Sequence, residues 1–343
     1  MKVLPVLGLI EEKEEIVDLD VKDKKILIEL SKNVRCPLSK ISKTVGLSRD
    51  GVKYRIENFR KNKVLNGTRT LVNTTYLGYD SYHVFLKLRN PSKKIEKELI
   101  KKLQDLPYIR AILKFYGNYD FEIALIAKNN SEFDIVLTEL LNKVKDYLNT
   151  YEILIITKSI IGRAFPKSFM KNIEIKKFVN EVKDKKDNYK PDKKDFSILE
   201  LIRDNADLSL LEISEKTKMS SDSVSYRLKK LSENIILKYV PVINYHALGY
   251  SVYASLLNIG PITESKEGKI SNFLRQNENV LWGVKTIGKY NVLLYICVKN
   301  NDEFQKTINE IRSLFPNELS DDENLLAVAE HKYTYAPDCL FKK

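Results

Sequence analysis

From residue 20 the apolar positions recur three and four apart: Ile26, Leu27 and Leu30, then Leu38, Ile41 and Val45, then Val52, Ile56 and Phe59. That spacing belongs to helices that bury one face, and it predicts three short helices in succession. Asp20 is placed to cap the first, which ends near Asn33, and Pro37 suits the first turn of the second. Gly46 is free to take the left-handed conformation that ends a helix, and Ser48 caps the third with Asp50 near the positive end of its dipole. Val64 to Val72, with Asn66-Gly67 inside it, reads as a hairpin, a wing whose Arg69 would press against a nucleic-acid backbone.

After Leu77-Gly78-Tyr79 the period changes to two, with Tyr82, Val84, Leu86 and Leu88 on one side of a strand. A helix from Ser92 to Leu103 follows, then strands Ile109 to Tyr116 and Phe121 to Lys128, a helix Ser131 to Leu148 and a strand Tyr151 to Ile160. This strand-helix-strand-strand-helix-strand order is the split βαβ arrangement. One such sheet leaves an apolar face uncovered and requires a partner for it.

The whole pattern occurs twice. At an offset of 172 residues, Asp20 falls on Asp192, Ile41 on Ile213, Ser48 on Ser220, Asp50 on Asp222, and Tyr54-Arg55 on Tyr226-Arg227. At 171 residues, Leu77-Gly78-Tyr79 falls on Leu248-Gly249-Tyr250, and Gly117-x-Tyr119 falls on Gly288-x-Tyr290. Copy two opens its second helix with a capping box, Ser209-x-x-Glu212, and buries Val224, Leu228 and Leu231 in its third. There Lys218 stands in place of Gly46 and must either take the left-handed turn at some cost or make another turn. The second βαββαβ copy places strands at Val252 to Asn258, Val280 to Ile287, Asn291 to Val298 and Leu325 to Tyr333, with helices from Lys266 to Gln276 and Asp302 to Phe315. Between the copies lies a charged linker, whose Ile173, Ile175, Phe178 and Val179 suggest a partly helical stretch. The expected domains are 19–75, 76–165, a linker at 166–191, then 192–247 and 248–338.

Composition narrows the partners. The 58 Lys and Arg against 46 Asp and Glu leave a net charge of +12, a surplus suited to a polyanion. Cys36, Cys297 and Cys339 show no paired spacing, so neither disulfides nor a zinc site is expected, and a reducing cytoplasm fits. The apolar run Val3 to Ile10 is interrupted by Pro5 and Gly8 and is far shorter than the ~20 residues that span a bilayer, so no membrane partner is expected.

The basic surplus concentrates on the third helices. Their outer faces carry Arg49, Lys53, Tyr54, Arg55, Arg60 and Lys61 in copy one, and Ser221, Ser223, Ser225, Tyr226, Arg227, Lys229 and Lys230 in copy two. Residues 49–69 hold seven basic and two acidic side chains, whereas 220–239 hold four and two. A helix corner of this kind enters the major groove of double-stranded DNA, where cations neutralise phosphates and a few side chains reach base edges.

The motifs Leu47-Ser48-x-x-x-Val52-x-Tyr54-Arg55-Ile56 and Met219-Ser220-x-x-x-Val224-x-Tyr226-Arg227-Leu228, together with each Leu-Gly-Tyr and the Gly-x-Tyr-Asp turn, resemble the Lrp/AsnC feast/famine regulators. The resemblance covers about residues 19 to 163 and 192 to 336, as two members fused in tandem. It implies an α+β chain of two winged helix-turn-helix domains alternating with two ferredoxin-like βαββαβ (RAM-type) domains. It further implies a sequence-specific transcriptional regulator in which the paired sensor units form an intramolecular pseudo-dimer, open to further oligomerisation. An amino-acid effector is implied near Gly117, Tyr119, Asp120, Gly288, Tyr290 and Asn291. Asn291 replaces the family's aspartate and removes a carboxylate suited to an ammonium group. The same residues are also ordinary hairpin chemistry.

Catalytic signatures are sparse. His83, His246 and His331 are the only histidines, and none sits in a metal-binding or nucleophile motif, so no catalytic residue, metal or cofactor is assigned. Two alternatives stay open: a sirohaem-decarboxylase-like enzyme, since relatives of this fold use histidine in that way, and a ligand-sensing interaction protein that binds no DNA. His83, inside a sensor strand, and Trp282 are both read as structural.

Overall fold

A computed structural model describes residues 7–10, 15–171, 173 and 189–342. Copy one runs α1 (Val21–Lys32), α2 (Leu38–Val45), α3 (Arg49–Lys61), β1 (Leu65–Val72), β2 (Asp80–Leu88), α4 (Lys93–Gln104), β3 (Ile109–Tyr116), β4 (Phe121–Ala127), α5 (Asn130–Val144) and β5 (Leu148–Gly162). Copy two repeats the order as α6 (Lys193–Ile202), α7 (Leu210–Thr217), α8 (Ser221–Asn234), β6 (Ile236–Ile243), β7 (Ser251–Ile259), α9 (Glu264–Gln276), β8 (Val280–Ile287), β9 (Val292–Val298), α10 (Asn301–Leu314) and β10 (Leu319–Tyr333). The linker positions Ile175, Phe178 and Val179 lie outside the described residues. No helix among the described residues is long and apolar enough to cross a membrane.

The chain forms two compact units. One gathers the helix-turn-helix segments of both copies (17–79 and 189–244) with the terminal segment 334–342; the other gathers both βαββαβ segments with residues 7–10, 15 and 16.

In the head unit the local signals act as expected. Asp20 and Asp192 each close a capping box, accepting from the backbone amides of Asp23 and Asp195, whose carboxylates return the bond. Gly46 takes a left-handed conformation at φ 66°, and Lys218 takes the same turn at φ 56° despite its side chain. Ile26, Ile41 and Val52 in copy one, and Ile198, Ile213 and Val224 in copy two, are fully buried between the helices of their own heads.

The expected wing hairpin is absent. Instead β1 pairs antiparallel with β6 of the other copy, from Leu65↔Ile243 to Val72↔Ile236. Asn66-Gly67 lies within the strand at a register shift, where Gly67 bulges at φ 142°. A strand whose backbone groups are met by the other copy needs no return strand of its own, and this long-range partner overrode the local turn signal.

In the other unit the strands run β3-β4-β2-β5 and β8-β9-β7-β10, and the two sheets join at both edges into a closed eight-stranded barrel. The joins are reciprocal: β5 pairs with β8 and β10 with β3. Closure removes the edges that open sheets would leave unpaired. Helices cover the outside. Tyr82 stacks on Phe133 of α5 at 3.9 Å, and Tyr253 stacks on Phe304 of α10 at the same distance. The largest boundary shifts are at α5, which stops at Val144, and at β10, which begins at Leu319 rather than Leu325 because the polar Ser320 and Asp321 disguise a stretch whose backbone pairs with β7.

Candidate nucleic-acid interface

The third helices α3 and α8 carry the candidate reading residues. Ser48 and Ser220 cap them by accepting from the backbone amides of Gly51 and Ser223. Val52, Ile56 and Phe59 in α3, and Val224, Leu228 and Leu231 in α8, anchor the inner faces. That anchoring turns Arg49, Lys53, Tyr54, Arg60 and Lys61 outward, together with Ser221, Ser225, Tyr226 and Lys229, all exposed; Ser223 and Lys230 are half-buried. Tyr54 and Tyr226, at equivalent positions, are each 65% exposed, a strong exposure for an aromatic side chain on a helix with an apolar inner face. Lys230 lies over the Tyr226 ring at 6.0 Å.

Not every basic residue on these helices is available. Arg55 binds Asp20 at 2.7 Å and Asp23 at 2.6 Å, and Arg227 binds Asp192 at 2.9 Å and Asp195 at 2.7 Å. Each arginine therefore clasps the capping box of its head's first helix. Against the upward push of burial, the Asp23 amide and the Arg55 guanidinium hold the Asp20 carboxyl below its usual value of 3.8, and Asp195 and Arg227 do the same for Asp192. Hydrogen bonding to Asp20 and Asp23 raises the pKa of Arg55 in return, and bonding to Asp195 and Asp192 raises that of Arg227. The pair was legible as a repeated trio, since Asp20, Asp23 and Arg55 recur together as Asp192, Asp195 and Arg227.

Arg69 is not at a wing tip. Its guanidinium lies 3.1 Å from the Asp204 carboxylate and donates to the Asp204 carbonyl, in the loop after α6. Arg60 reaches Asp207 at 2.9 Å, and Thr68 donates to the same carboxylate at 2.7 Å. Arg35 donates to the Ala206 and Leu208 carbonyls at 2.8 and 2.7 Å. With the β1–β6 ladder, these contacts tie the two heads into one body. Sequence reading missed this lock. Its signal was the acidic pair Asp204 and Asp207 of copy two, which meets Arg69 and Arg60 of copy one.

The Gly-x-Tyr turns of the barrel are structural joints. A Cβ at Gly117 would press on Leu325, and one at Gly288 would collide with the Ile153 carbonyl, so each turn abuts the last strand of the other copy. Asp120 accepts from the Leu88 amide at 2.7 Å with Lys87 at 3.7 Å, and Asn291 accepts from the Ile259 amide at 3.0 Å while donating to Gly260. Tyr119 packs against Phe85 at 5.8 Å, and burial pushes its hydroxyl up to about 12; Tyr290 is 1% exposed. His83 is buried in the barrel and bonded to Glu122. No cluster of three or more metal-ligating side chains occurs among the described residues.

Comparison with known proteins agrees with this reading of the heads. Residues 19–60 match the AsnC-type helix-turn-helix domain and residues 191–234 a winged helix-turn-helix DNA-binding domain. An uncharacterized HTH-type transcriptional regulator of Pyrococcus furiosus is 30% identical over 132 residues, which is 38% of this chain and 83% of that protein. The regulatory protein AsnC of Haemophilus influenzae is 25% identical over 144 residues, 42% of this chain and 95% of its own length. The chain belongs to the Lrp/AsnC family of helix-turn-helix regulators. One relative's length corresponds to a single copy of the repeat. Among solved structures, the siroheme decarboxylase NirDL superposes with a TM-score of 0.60 at 15% identity, covering 91% of this chain and 92% of that one, a likeness of fold.

Proposed function

We propose that this DNA-binding regulator presents α3 and α8 to the major groove as a fused, non-identical pair of reading heads. The observation that carries the reading is the equivalent exposure of Tyr54 and Tyr226 on basic helices that are anchored and capped alike. Arg49, Lys53 and Lys61 supply phosphate and base-edge contacts in head one, while Ser221, Ser225, Tyr226 and Lys229 do so in head two. Arg60 remains half-engaged with Asp207, whereas Arg55, Arg69 and Arg227 act as struts.

Because the heads are tied by β1, β6 and the Arg35, Arg60 and Arg69 contacts, they address two unlike half-sites at one fixed spacing. An imperfect palindrome with half-sites about one DNA turn apart is the expected operator. An amino-acid effector acts, in this reading, at the copy-one turn, where a ligand ammonium would replace Lys87 beside Asp120. Copy two, with Asn291 there, responds more weakly.

Selecting bound fragments from a random DNA pool, with and without amino acids, tests the proposal. Enrichment of paired, unlike half-sites at a single spacing supports it. Recovery of no preferred sequence, or of half-sites at freely varying spacing, contradicts it.

A further inference from the structure

Equivalent strands of the two sensor copies carry unlike side chains where their inner faces meet. One row across β3, β4 and β2 reads Ala111, Ala124, His83, each residue paired with the next. The equivalent row across β8, β9 and β7 reads Trp282, Tyr295, Ala254, paired in the same way. Two residues before Ala124 stands Glu122, where copy two has Leu293. Small, small, large thus meets large, large, small.

All of these side chains are interior: Glu122, Tyr295 and Ala254 are 0% exposed, His83 and Ala111 1%, and Trp282 3%. Two of their contacts, Tyr295 to Glu122 and His83 to Trp282, cross from one copy to the other. The Tyr295 hydroxyl donates to one oxygen of Glu122, whose other oxygen meets Nδ1 of His83. The His83 ring lies 6.1 Å from Trp282, nearly parallel to it, and Trp282 meets Tyr295 edge-on at 5.7 Å.

We infer that the two inner faces form a non-interchangeable pair, in which the face of copy one accepts only the face of copy two as its partner. The barrel is reciprocal in its backbone, so the like-with-like alternatives can be read from the equivalences. Were two copy-one faces to meet, each Glu122 would face Ala124 rather than Tyr295, and each His83 would face Ala111 rather than Trp282. Buried carboxylates would lose their hydroxyl donor and voids would open beside them, both destabilising. Were two copy-two faces to meet, Leu293 would face Tyr295 and Ala254 would face Trp282, on both sides of the barrel at once. Space that now holds one Trp and one Tyr would have to hold two of each, with both tyrosine hydroxyls lacking Glu122.

The consequence is that the duplication has become an internal heterodimer. Sensor halves do not trade like with like between chains, so head one always accompanies head two. This holds whatever the heads bind.

The test uses full-length chains. In one, copy two receives the copy-one row (Trp282→Ala, Tyr295→Ala, Ala254→His, Leu293→Glu); in another, copy one receives the copy-two row (Ala111→Trp, Ala124→Tyr, His83→Ala, Glu122→Leu). A third carries all exchanges together. Thermal melting should show both like-with-like chains losing about 10 °C or more, or failing to fold, and the fully exchanged chain recovering at least half of the loss. A like-with-like chain melting within about 2 °C of wild type would overturn the inference, as would a fully exchanged chain no more stable than either. A milder pair gives a second reading. Tyr295→Phe and Glu122→Leu should be strongly non-additive, the double variant melting no lower than the worse single, and additive losses would contradict the pairing.

Discussion

Arg227 holds the carboxylate of Asp195 at 2.7 Å, and with that contact a residue on the face of a reading helix becomes part of its scaffold. Asp195 is 2% exposed and also accepts from the Tyr189 hydroxyl at 2.8 Å. Arg55 makes the same contact to Asp23, whose side chain is 16% exposed.

The difference in burial predicts unequal costs. Arg227→Met leaves a buried carboxylate short of its cation and should destabilise the heads by about 1–3 kcal/mol. Arg55→Met, whose partner keeps solvent access, should cost about 1 kcal/mol or less. Chemical denaturation of the two variants measures both, and equal losses would contradict the assignment.

Acid should weaken the heads through the same boxes. The Asp20 and Asp192 carboxyls sit below their usual 3.8, so their contribution is fully present above that pH and is lost as pH falls through the still lower folded values. Wild type should therefore lose head stability below about pH 4, and Asp192→Asn should lose less over that interval. Melting at pH 6 and pH 3 compares them; a variant with the full wild-type acid loss would refute the linkage.

The barrel turns make a conformational prediction. Asp120→Asn keeps an acceptor for the Leu88 amide, as Asn291 does for Ile259 in copy two, and should retain wild-type stability. Asp120→Ala leaves that amide without its acceptor and should cost about 1–2 kcal/mol. If Asn destabilises as much as Ala, the charge rather than the acceptor is what the turn needs. Gly288→Ala, driven against the Ile153 carbonyl, should cost about 1–3 kcal/mol.

Much of this architecture was legible because its signals are local. The caps at Asp20, Ser48, Ser209 and Ser220 and the left-handed turn at Gly46 each act within a few residues, and so does the alternation along β2. The repeat supplied a second reading of each. What escaped was set by distant partners. Asn66-Gly67 is a strong hairpin signal, yet β1 spends its hydrogen bonds on β6, about 170 residues away. Arg55 and Arg227 look like DNA contacts on a helical wheel and Arg69 looks like one on a wing, since either pattern shows which way a side chain faces but not which carboxylate waits there. Exposure separates Arg49 and Lys53 from the struts, since the ion pair of Lys53 to Glu57, at 4.0 Å, is solvent-exposed on both sides.

The account rests on the outward faces of α3 and α8, and binding measured against salt tests it most directly. Wild type and an Arg49→Ala, Lys53→Ala, Lys61→Ala chain should be titrated against DNA selected by the wild type, at several salt concentrations. The account predicts that the variant binds at least about tenfold more weakly and that its log–log salt slope is shallower by about one per lost phosphate contact. Equal affinity and an equal slope for the two proteins, or a wild-type affinity indifferent to salt, would contradict it.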